Sequence, residues 1–584
     1  MKRLYIILIM LSGIVGCMVH SQNTGQNYLK TRTHIDHSGN VQEQTVYCDG
    51  LGRPIETVNR KATPGGKDLV TLQEYDTHGR ESRTWLPAMT GGDTGAFVAA
   101  ATVKSGAVAL NKGDGAPYTD LLYEASPLGR VEYRYGPGTD WAEKPVHNSY
   151  TGNTILNSQS YSGPTSIIAF APTSDNGLQK RNYSLAGNFF VTRTTDEDGN
   201  EICEFTDKHG RLAMTRRLEG DTPYSTYYVY DDAGNLRYVL PPILADSFEG
   251  SVPFINNIVR DTVPQMQLHA YIYRYDGFNR CIYKKLPGCE PVYYIYDKAG
   301  RMVFSQDGEL REAGKWMFHI PDVMGRTVLT GTCTNALDYA DKPMEDTVVK
   351  AVWGAGTATN MGYTISGVTL ASPDILTASY YDSYGFVGKN GVPATGLDYT
   401  AAAGFGTRYG DSRGLLTGQA IRQLDAAGTA GYIYAAFHYD DRGRVIQTHS
   451  TNHLGGIDSE YLAYNLAGDV LQRKTTHTAG NAATQTGVYT YTYDHDRRLT
   501  GVRYKRGNDA EFVMLENTYN DLGQLVSTQR HGSSALKTGY EYNVRSWLTA
   551  ISGNKFSQAL HYTDGPGTPC YNGNISSMTW KAGN

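Results

Sequence analysis

The sequence is poor in the residues that build the commonest disulfide, metal and nucleotide sites. Its 584 residues include 7 cysteines and 15 histidines, with no CxxC pair and no phosphate-binding GK[ST] loop. Charged residues make up 19% of the chain, below the roughly 25% of ordinary domains. The net charge of −5 provides no positive field to attract nucleic acid. We therefore predict no disulfide scaffold, no cofactor and no nucleic-acid partner.

Tyrosine and glycine are the residues in excess. The chain has 44 tyrosines and 65 glycines, and average usage of glycine is only roughly 7%. Hydrophobic residues make up 40% of the chain, which is enough for a packed core and argues against global disorder. This composition is typical of a β protein with many turns.

The first 21 residues have the pattern of a signal peptide. Lys2 and Arg3 precede an apolar run over residues 4–15, which is too short to span a bilayer as a helix. Residues 14–17 resemble a lipobox, in which Cys17 would be acylated, whereas cleavage after Ser21 would release Gln22; both remain open. No later stretch is long and apolar enough to cross a membrane. We predict an exported protein at the cell surface, associated with the outer membrane or secreted, and bound to a membrane only through an N-terminal lipid.

One short phrase recurs along the whole chain: an aromatic residue, Asp or Asn, two or three residues, Gly, then Arg or Asn before an aliphatic segment. Such repetition is the first feature to look for, because it decides the fold class. Clear copies begin at Tyr47, Tyr75, Tyr230, Tyr275, Tyr296 and Tyr439. Looser copies begin at Tyr123, Phe205, Tyr381, Tyr464, Tyr493, Tyr519 and Tyr542. So many copies argue against chance pairing of Tyr with Asp.

The residues of the phrase predict a β-hairpin. Tyr271, Tyr273 and Tyr275 alternate and therefore share one face of a strand. The Asp side chain can accept hydrogen bonds from backbone amides of the turn, and Gly adopts positive φ without steric cost. One hairpin cannot bury an aromatic face alone, so neighbouring hairpins must stack, and we expect rings such as that of Tyr296 to be buried. The fold class predicted is all-β and antiparallel, with helix below about 15%.

With these motifs the chain resembles the Rhs or YD-repeat family over roughly residues 25–584. Residues 47–58 are similar to the opening domain of uncharacterised function found on many bacterial Rhs proteins. A second similar block comprises residues 238–242, 285–288, 296–297 and 305–308, with Trp316, Gly325, Arg326 and Gly331. The resemblance implies repeated β-hairpins that form a spiralling β-sheet shell or part of one. In the family's toxins this shell encloses a C-terminal effector, which a core segment cuts from it.

The sequence departs from that plan at its C-terminal end. The repeat pattern reaches residues 571–575 and stops at Asn584, and we find neither the self-cleaving core segment nor a distinct toxin. We therefore expect a short form of the family or one part of a longer assembly.

Composition and repeats together predict five regions. These are a signal peptide (1–21), an N-terminal Rhs-associated domain with the first repeats (22–150), a YD-repeat β region (151–332), an Ala/Gly/Thr-rich insertion with degenerate repeats (333–430) and a regular repeat array (431–584). Residues 88–120 and 340–410 are rich in Ala, Gly and Thr and interrupt the repeat; we expect these insertions to be solvent-facing loops, and some strand within them stays open.

Three local patterns resemble chemical sites, and we interpret each as structural. Residues 410–414 match GxSxG in letters, but the segment after Ser412 is typical of a strand, not the helix that a nucleophile elbow needs. Residues 196–200 are acidic and resemble the start of a calcium-binding loop. An EF-hand loop has Gly at its sixth position and Glu at its twelfth, whereas here Gly199 is fourth and Asp207 is twelfth, so an EF-hand is excluded. Calcium binding by the acidic turn alone stays open. His449 and His453 have helical spacing in a segment that we interpret as a loop. We predict no catalytic, cofactor-binding or metal-binding residue.

Three classes of function follow from these observations. The first is a non-enzymatic, exported shell protein related to bacterial polymorphic-toxin or intercellular competition systems, with an encapsulated or associated effector as partner. The alternative is a cell-surface carbohydrate-binding or adhesion protein, and six tryptophans are available to stack on a glycan: Trp85, Trp141, Trp316, Trp353, Trp547 and Trp580. Most of these aromatics are expected inside a core. The third class, an enzyme, has no convergent acid, base and nucleophile to support it.

Overall fold

The computed structural model describes residues 25–154, 166–183, 186–220, 222–248, 254–354, 358–424 and 431–583. Of these residues, 48% lie in strands and 7% in helices. The predicted all-β fold class is therefore confirmed. The signal peptide and Cys17 lie outside the described residues and remain predictions.

The strands of the N-terminal half are short and mostly consecutive. They are β1 Asn27–His34, β2 Val41–Cys48, β3 Pro54–Arg60, β4 Leu69–Tyr75, β5 Glu81–Trp85, β6 Ala88–Met89, β7 Tyr118–Tyr123, β8 Val131–Tyr135, β9 Val146–Gly152, β10 Ile168–Pro172, β11 Gly177–Tyr183, β12 Phe189–Thr195, β13 Glu201–Asp207, β14 Leu212–Glu219, β15 Thr222–Tyr230, β16 Leu236–Leu240, β17 Ile258–Arg260, β18 Tyr271–Tyr275, β19 Cys281–Lys285 and β20 Val292–Tyr296.

The strands of the C-terminal half become longer and more regular. They are β21 Met302–Gln306, β22 Trp316–Pro321, β23 Thr327–Cys333, β24 Lys350–Trp353, β25 Tyr363–Ser366, β26 Asp374–Asp382, β27 Ser412–Arg422, β28 Tyr432–Tyr439, β29 Val445–Thr451, β30 Ile457–Tyr464, β31 Val470–His477, β32 Gln485–Tyr493, β33 Leu499–Arg506, β34 Phe512–Tyr519, β35 Leu525–Arg530, β36 Lys537–Tyr542, β37 Leu548–Gly553, β38 Phe556–His561 and β39 Ser577–Ala582. The helices are α1 Ala100–Leu110, α2 Pro242–Ser247, α3 Pro264–His269 and α4 Gly308–Glu312, with short 3-10 turns at Thr139–Trp141, Ala358–Asn360 and Ser534–Leu536.

Thirty-four of these strands form one antiparallel ribbon in which each strand pairs with the next of them along the chain, apart from β6, which pairs only with β4. Only inserted elements interrupt this order: β6 and α1, the pair β10–β11 with β17, the helices α2 and α3, and the hairpin β24–β25. The ladder from β26 to β39 has no strand inserted. A ribbon with this connectivity grows by local pairing alone.

The repeat turn is built by one aspartate, and the turn at Asp276 shows how. Its Oδ1 accepts hydrogen bonds from the backbone N–H groups of Phe278 (2.9 Å) and Arg280 (3.0 Å). Its Oδ2 accepts a 2.6 Å hydrogen bond from Arg280 Nε. The fourth residue of the turn has positive φ, 61° at Asn279 and 76° at Gly300 in the next copy. The carboxylate therefore satisfies amides that would otherwise lack partners in the turn.

The same arginine connects one repeat to the next. The Arg280 guanidinium lies 4.9 Å from the ring centre of Tyr296, and the Tyr296 hydroxyl donates a 2.9 Å hydrogen bond to the carbonyl of Cys281. We call this arrangement the Asp–Arg–Tyr link. The cation–π pairs that repeat it are Arg53–Tyr75, Arg80–Tyr123, Arg211–Tyr230, Arg326–Tyr381, Arg444–Tyr464 and Arg498–Tyr519. Arg130–Tyr150 is a variant in which Glu124 holds the arginine. Each turn thus holds the following strand pair.

The first copy of the phrase is shifted by one residue from its expected position. Asp49 makes the turn, with its Oδ1 accepting from Leu51 N and Arg53 N. Cys48 therefore occupies the tyrosine position, whereas Tyr47 points to the opposite face and is buried, with 4% of its surface exposed.

The prediction that the alternating tyrosines form the buried face is wrong. Tyr271, Tyr273 and Tyr275 are only half-buried, as is Tyr296. The residues between them, such as Ile272 and Ile295, are buried instead. We call the two sides of the ribbon the tyrosine face and the core face. On the tyrosine face, arginine side chains stack on half-buried rings. The core face is covered where the three clusters of buried side chains lie, and the last of their residues along the chain is Ala436 in β28.

The insertions cover the core face, so the expectation of solvent-facing loops is also wrong. Val103 and Ala107 of α1 are fully buried against β3 and β4. Leu244 of α2 and Met266 of α3 are buried in a second cluster. The largest cluster is completed by the 383–410 segment, for example by Leu397. The insertions therefore supply the second layer that a single sheet needs to bury apolar surface.

We predict that Gly300→Ala destabilises the fold whereas Gly277→Ala does not. Gly300 has φ +76°, and an L-residue in that conformation costs about 1–2 kcal/mol. Gly277 in the preceding turn lacks positive φ and has nothing within 4 Å of an added Cβ, so it is a matched control. Chemical denaturation of both variants measures the difference. Equal effects would contradict the assignment of turn strain to Gly300.

Candidate functional site

Ser412 lies at the start of a strand and not at a nucleophile elbow. Its Oγ donates a 2.8 Å hydrogen bond to the carbonyl of Asp382, and β27 follows directly. Asp382 also accepts from Gly414 N through its carboxylate, at 2.6 Å. The GxSxG letters therefore form a junction between β26 and β27.

His449 and His453 are placed differently from the sequence interpretation. His449 is inside β29 and buried, so assigning it to a loop was wrong. Its Nδ1 is 2.8 Å from Ser459 Oγ and its Nε2 is 3.1 Å from Gln447 Oε1, and burial lowers its pKa. His453 is exposed in the following turn. In the part of the chain that the structure describes, no three His, Cys, Asp or Glu side chains are grouped to hold a metal.

Three of the six tryptophans are internal, fewer than the sequence led us to expect. Trp85, Trp141 and Trp316 are buried, with 3–7% of their surface exposed. Trp353 and Trp547 are half-buried, and Trp580 on β39 is 64% exposed. Among the described residues no helix is long and apolar enough to cross a bilayer.

The C-terminal repeats pack against the N-terminal strands, which the sequence did not predict. Gln42 Nε2 donates to Asp496 Oδ1 at 2.7 Å, and Leu466 N donates to the carbonyl of Ile35 at 2.9 Å. Further contacts join Lys61 to His495, Lys112 to Tyr542, Pro137 to Arg545 and Trp141 to Tyr571. The hydrogen-bonded side chains in these contacts are 408 to 454 residues from their partners. We call this line of contacts the inter-turn seam.

The order of contacts shows how the ribbon is arranged at the seam. From the contact of Leu466 with Ile35, through that of Tyr542 with Lys112, to that of Tyr571 with Trp141, later residues of the C-terminal repeats meet later residues of the N-terminal region. Two segments that advance in the same direction side by side are successive turns of one spiral. The ribbon therefore returns on itself after roughly 430 residues, the separation of the Trp141–Tyr571 contact.

Arg545 has the densest set of contacts across the seam. Its Nε donates to the carbonyl of Pro137 at 3.0 Å, and its Nη1 lies 3.0 Å from Glu197 Oε1. Its guanidinium lies 4.3 Å from the Trp141 ring centre and 5.3 Å from that of Trp547. The side chain is only 9% exposed, and burial lowers its pKa.

The acidic turn at residues 196–200 also belongs to the seam. Asp196 Oδ1 accepts from the turn's own amides, Asp198 N and Asn200 N, as in other repeats. Its Oδ2 accepts from Asn572 Nδ2 at 2.9 Å, and Asp198 accepts from the backbone N–H of Tyr571 at 2.7 Å. These carboxylates therefore hold protein amides.

A signal for Arg545 was present in the sequence and was missed. In most repeats Arg or Asn stands four residues after the Asp or Asn. In the copy that begins at Tyr542, the residue four after Asn543 is Trp547, and the arginine is two residues earlier. Ser546 replaces the glycine and adopts φ 61°. A repeat that departs from its own pattern marks a position with an additional role.

A polar groove crosses the tyrosine face of the C-terminal repeats. It has a volume of about 470 Å³ and spans β29 to β33. Two rows of paired residues form its floor: Ser450, Asp458, His477 and Gln485 in one, and Thr448, Glu460, Thr475, Gly487 and Arg506 in the other. Arg473 donates to Glu460, and Tyr504 lies over Gly487, whose added Cβ would be 2.9 Å from the ring. The groove combines both charges with hydroxyl groups and an aromatic ring.

Glu56 is a buried carboxylate that contacts an insertion. It is 1% exposed on the core face of β3, and its Oε1 accepts a 2.9 Å hydrogen bond from Val98 N. Its Oε2 has no hydrogen-bond partner among the described residues. Burial raises the pKa of Glu56 to about 7, although the Val98 hydrogen bond opposes the shift.

Parts of this chain are similar to a known protein family and to solved structures. Residues 21–154 match the family described as "Domain of unknown function (DUF6443)". No curated protein matches the chain. A crystal structure of TcdB2-TccC3 is similar with a TM-score of 0.59 and 13% identity, over 95% of this chain and 23% of that one. A second, of TcdB2-TccC3 without its hypervariable C-terminal region, has a TM-score of 0.41 and 14% identity, over 95% and 26%.

The similarity to TcdB2-TccC3 at this level of identity concerns the fold. This chain spans about a quarter of the length of the TcdB2-TccC3 chains that it matches. The all-β ribbon therefore has a counterpart in a region of a much longer protein.

We predict that Glu56 makes the fold more stable at low pH. Because its pKa is raised in the folded state, its contribution is fully present below about pH 4.5 and is lost as pH rises through about 7. The shift corresponds to about 3 kcal/mol. The difference in unfolding free energy between wild type and Glu56→Gln, measured from pH 4 to 8, should change by that order.

The matched control is Glu43, a buried carboxylate on the neighbouring strand. Although burial opposes it, hydrogen bonds from Lys30 and Arg32 hold the pKa of Glu43 below its usual range. Glu43→Gln should therefore cost stability at neutral pH and progressively less as pH falls through that lowered pKa. The same pH trend in both variants would contradict the assignment to Glu56.

Proposed function

We propose that this chain is a non-enzymatic, exported wall section of an Rhs-type YD-repeat shell, related to bacterial toxin or intercellular competition systems. The observation that carries the proposal is the continuous ribbon of 34 strands that returns on itself at the inter-turn seam. A wall of this kind needs strand pairing along the ribbon and contacts between its turns, and both are present.

The last repeats support a thin wall over a compact globule. Exposed residues occur on both faces of β33, where Lys505 and Arg506 are neighbours, and along nearly all of β39. A single-layered sheet exposes both of its faces in this way.

The comparisons support the shell assignment at the level of fold. The similarity to TcdB2-TccC3 covers nearly the whole chain. The Asp–Arg–Tyr links give the YD phrase a structural role, which is the role that Rhs membership would require. Under this proposal the match to the domain of unknown function marks the opening section of the wall.

The proposed partner is an effector protein that the wall encloses or holds. The signal-peptide pattern of residues 1–21 supports the proposed export, with either an acylated Cys17 or a free Gln22 as the mature start. A non-catalytic role agrees with the use of the candidate nucleophile Ser412 in a backbone hydrogen bond.

Small-angle X-ray scattering of the purified mature chain tests the closed wall. A compact domain of this length has a radius of gyration of roughly 25 Å. We expect a larger value, because the mass lies in a wall, with a maximum dimension well below the ribbon's contour of about 160 Å. A compact value, or a dimension near the full contour, would overturn the proposal. Hydrolase activity that Ser412→Ala removes would overturn its non-enzymatic part.

The second candidate function is binding of a cell-surface glycan in the polar groove. Its volume lies within the range of roughly 300–1,000 Å³ typical of ligand sites. Its carboxylates, guanidinium groups and hydroxyls can donate and accept the hydrogen bonds that sugar hydroxyls require. The Tyr504 ring supplies an apolar surface for a pyranose. The balance of charges favours a neutral oligosaccharide.

Calorimetry with cellohexaose, maltohexaose and chitohexaose tests this candidate. We expect at least one of them to bind, and Arg506→Ala to weaken its binding by about tenfold, or about 1.4 kcal/mol. The control is Lys505→Ala, which removes the same charge from the neighbouring exposed residue on the other face of β33. Lack of binding by all three sugars, or equal loss in both variants, would exclude the groove as this site.

A further inference from the structure

The contacts across the inter-turn seam differ from the strand pairing within the ribbon. Within the ribbon each strand has a ladder of backbone hydrogen bonds to its neighbours. Across the seam the contacts are individual, and several involve exposed groups, such as Lys112 Nζ at 3.4 Å from the carbonyl of Tyr542. Two turns could therefore separate here while every strand ladder remains intact.

Arg545 is the exception among the seam contacts, because it enters a prepared socket. Gly136 forms one wall of the socket: an added Cβ there would lie only 2.2 Å from Arg545 Nη2. Gly138 forms another, with φ +113° and an added Cβ 2.5 Å from Trp141. Both glycines lie in the connection between β8 and β9, about 400 residues before the arginine. Side chains at either position would close the socket.

The contacts in the socket require a guanidinium group. The planar group donates to the Pro137 carbonyl and pairs with Glu197, and it lies 4.3 Å and 5.3 Å from the ring centres of Trp141 and Trp547. A lysine ammonium is a single point donor and cannot make this combination. Breaking a buried ion pair also leaves an uncompensated charge on the remaining partner, so loss of Arg545 affects both turns.

We propose that Arg545 in its glycine socket is the lock of the inter-turn seam, and that its release opens the wall between successive turns without unfolding the strands. The inference depends on the return of the ribbon, on which the proposed shell function also rests. For a shell, such a lock would be the place where the wall opens to its contents.

Hydrogen exchange of Arg545→Met tests the lock, because three backbone amides report directly on the seam. Tyr571 N and Asn572 N donate to Asp198, and Leu466 N donates to the carbonyl of Ile35. We expect all three to exchange at least tenfold faster in Arg545→Met, with unchanged protection in β32 and β33. Faster exchange at Leu466, far from the substitution, distinguishes a lock from a local contact.

A second variant disturbs the contacts of Arg545 from the N-terminal side of the seam. Gly136→Ala places a Cβ against Arg545 Nη2 and should reproduce the exchange pattern, even if Arg545→Met fails to fold. The controls are Arg413→Met, whose side chain is 86% exposed, and Gly91→Ala, where an added Cβ meets nothing within 4 Å. Neither control should alter the three amides.

The outcomes separate this inference from the proposed function. Unchanged exchange at the three amides, or faster exchange at Tyr571 and Asn572 alone, would contradict the role of Arg545 as the lock. The proposed shell function would still stand if the scattering of the wild type shows a closed wall. Loss of protection throughout the ribbon in both Arg545→Met and Gly136→Ala also overturns the lock, because the residue would then support the fold as a whole. An extended wild type in scattering overturns the shell function itself.

Discussion

The ribbon depends on the Asp or Asn side chain that closes the repeat turns. In turns such as that of Asp276, the carboxylate holds two backbone amides and orients an arginine, and that arginine covers the tyrosine of the following repeat. The hydroxyl of that tyrosine returns to the backbone of the turn it came from, as Tyr296 does to Cys281. One side chain therefore determines both the local turn and its connection to the next unit, which allows the chain to add strands without long-range pairing.

The links leave one face of the sheet polar enough to remain exposed, so the apolar surface must be buried on the other. Alternation shows that Ile272 and Tyr273 lie on opposite faces, but it does not show which face is covered. Aromatic content suggested the tyrosine face, whereas the insertions cover the core face. An insertion such as α1 belongs to no repeat, and its docking depends on the shape of the sheet beneath it.

The candidate site also combines features that the sequence shows with contacts that only the folded chain creates. Trp141, Trp547 and the acidic turn at Asp196 were recognisable as unusual residues, but nothing in their spacing brought them together. Arg545 joins them across the seam through contacts with residues that precede it by several hundred positions. The sheet curvature that creates this proximity is the sum of small twists over many strands.

The sequence by itself determined the strands, the turns and their antiparallel order, because each turn is closed by side chains within five residues of one another. The tertiary structure decided which face is buried, that Cys48 replaces a tyrosine in the first link, and that the ribbon meets itself after one spiral turn. These outcomes depend on packing between segments that share no local pattern, and on desolvation that only the folded chain imposes. The environment of Arg545 is the clearest case, because an exposed arginine in the repeat pattern becomes a buried one only when two turns meet.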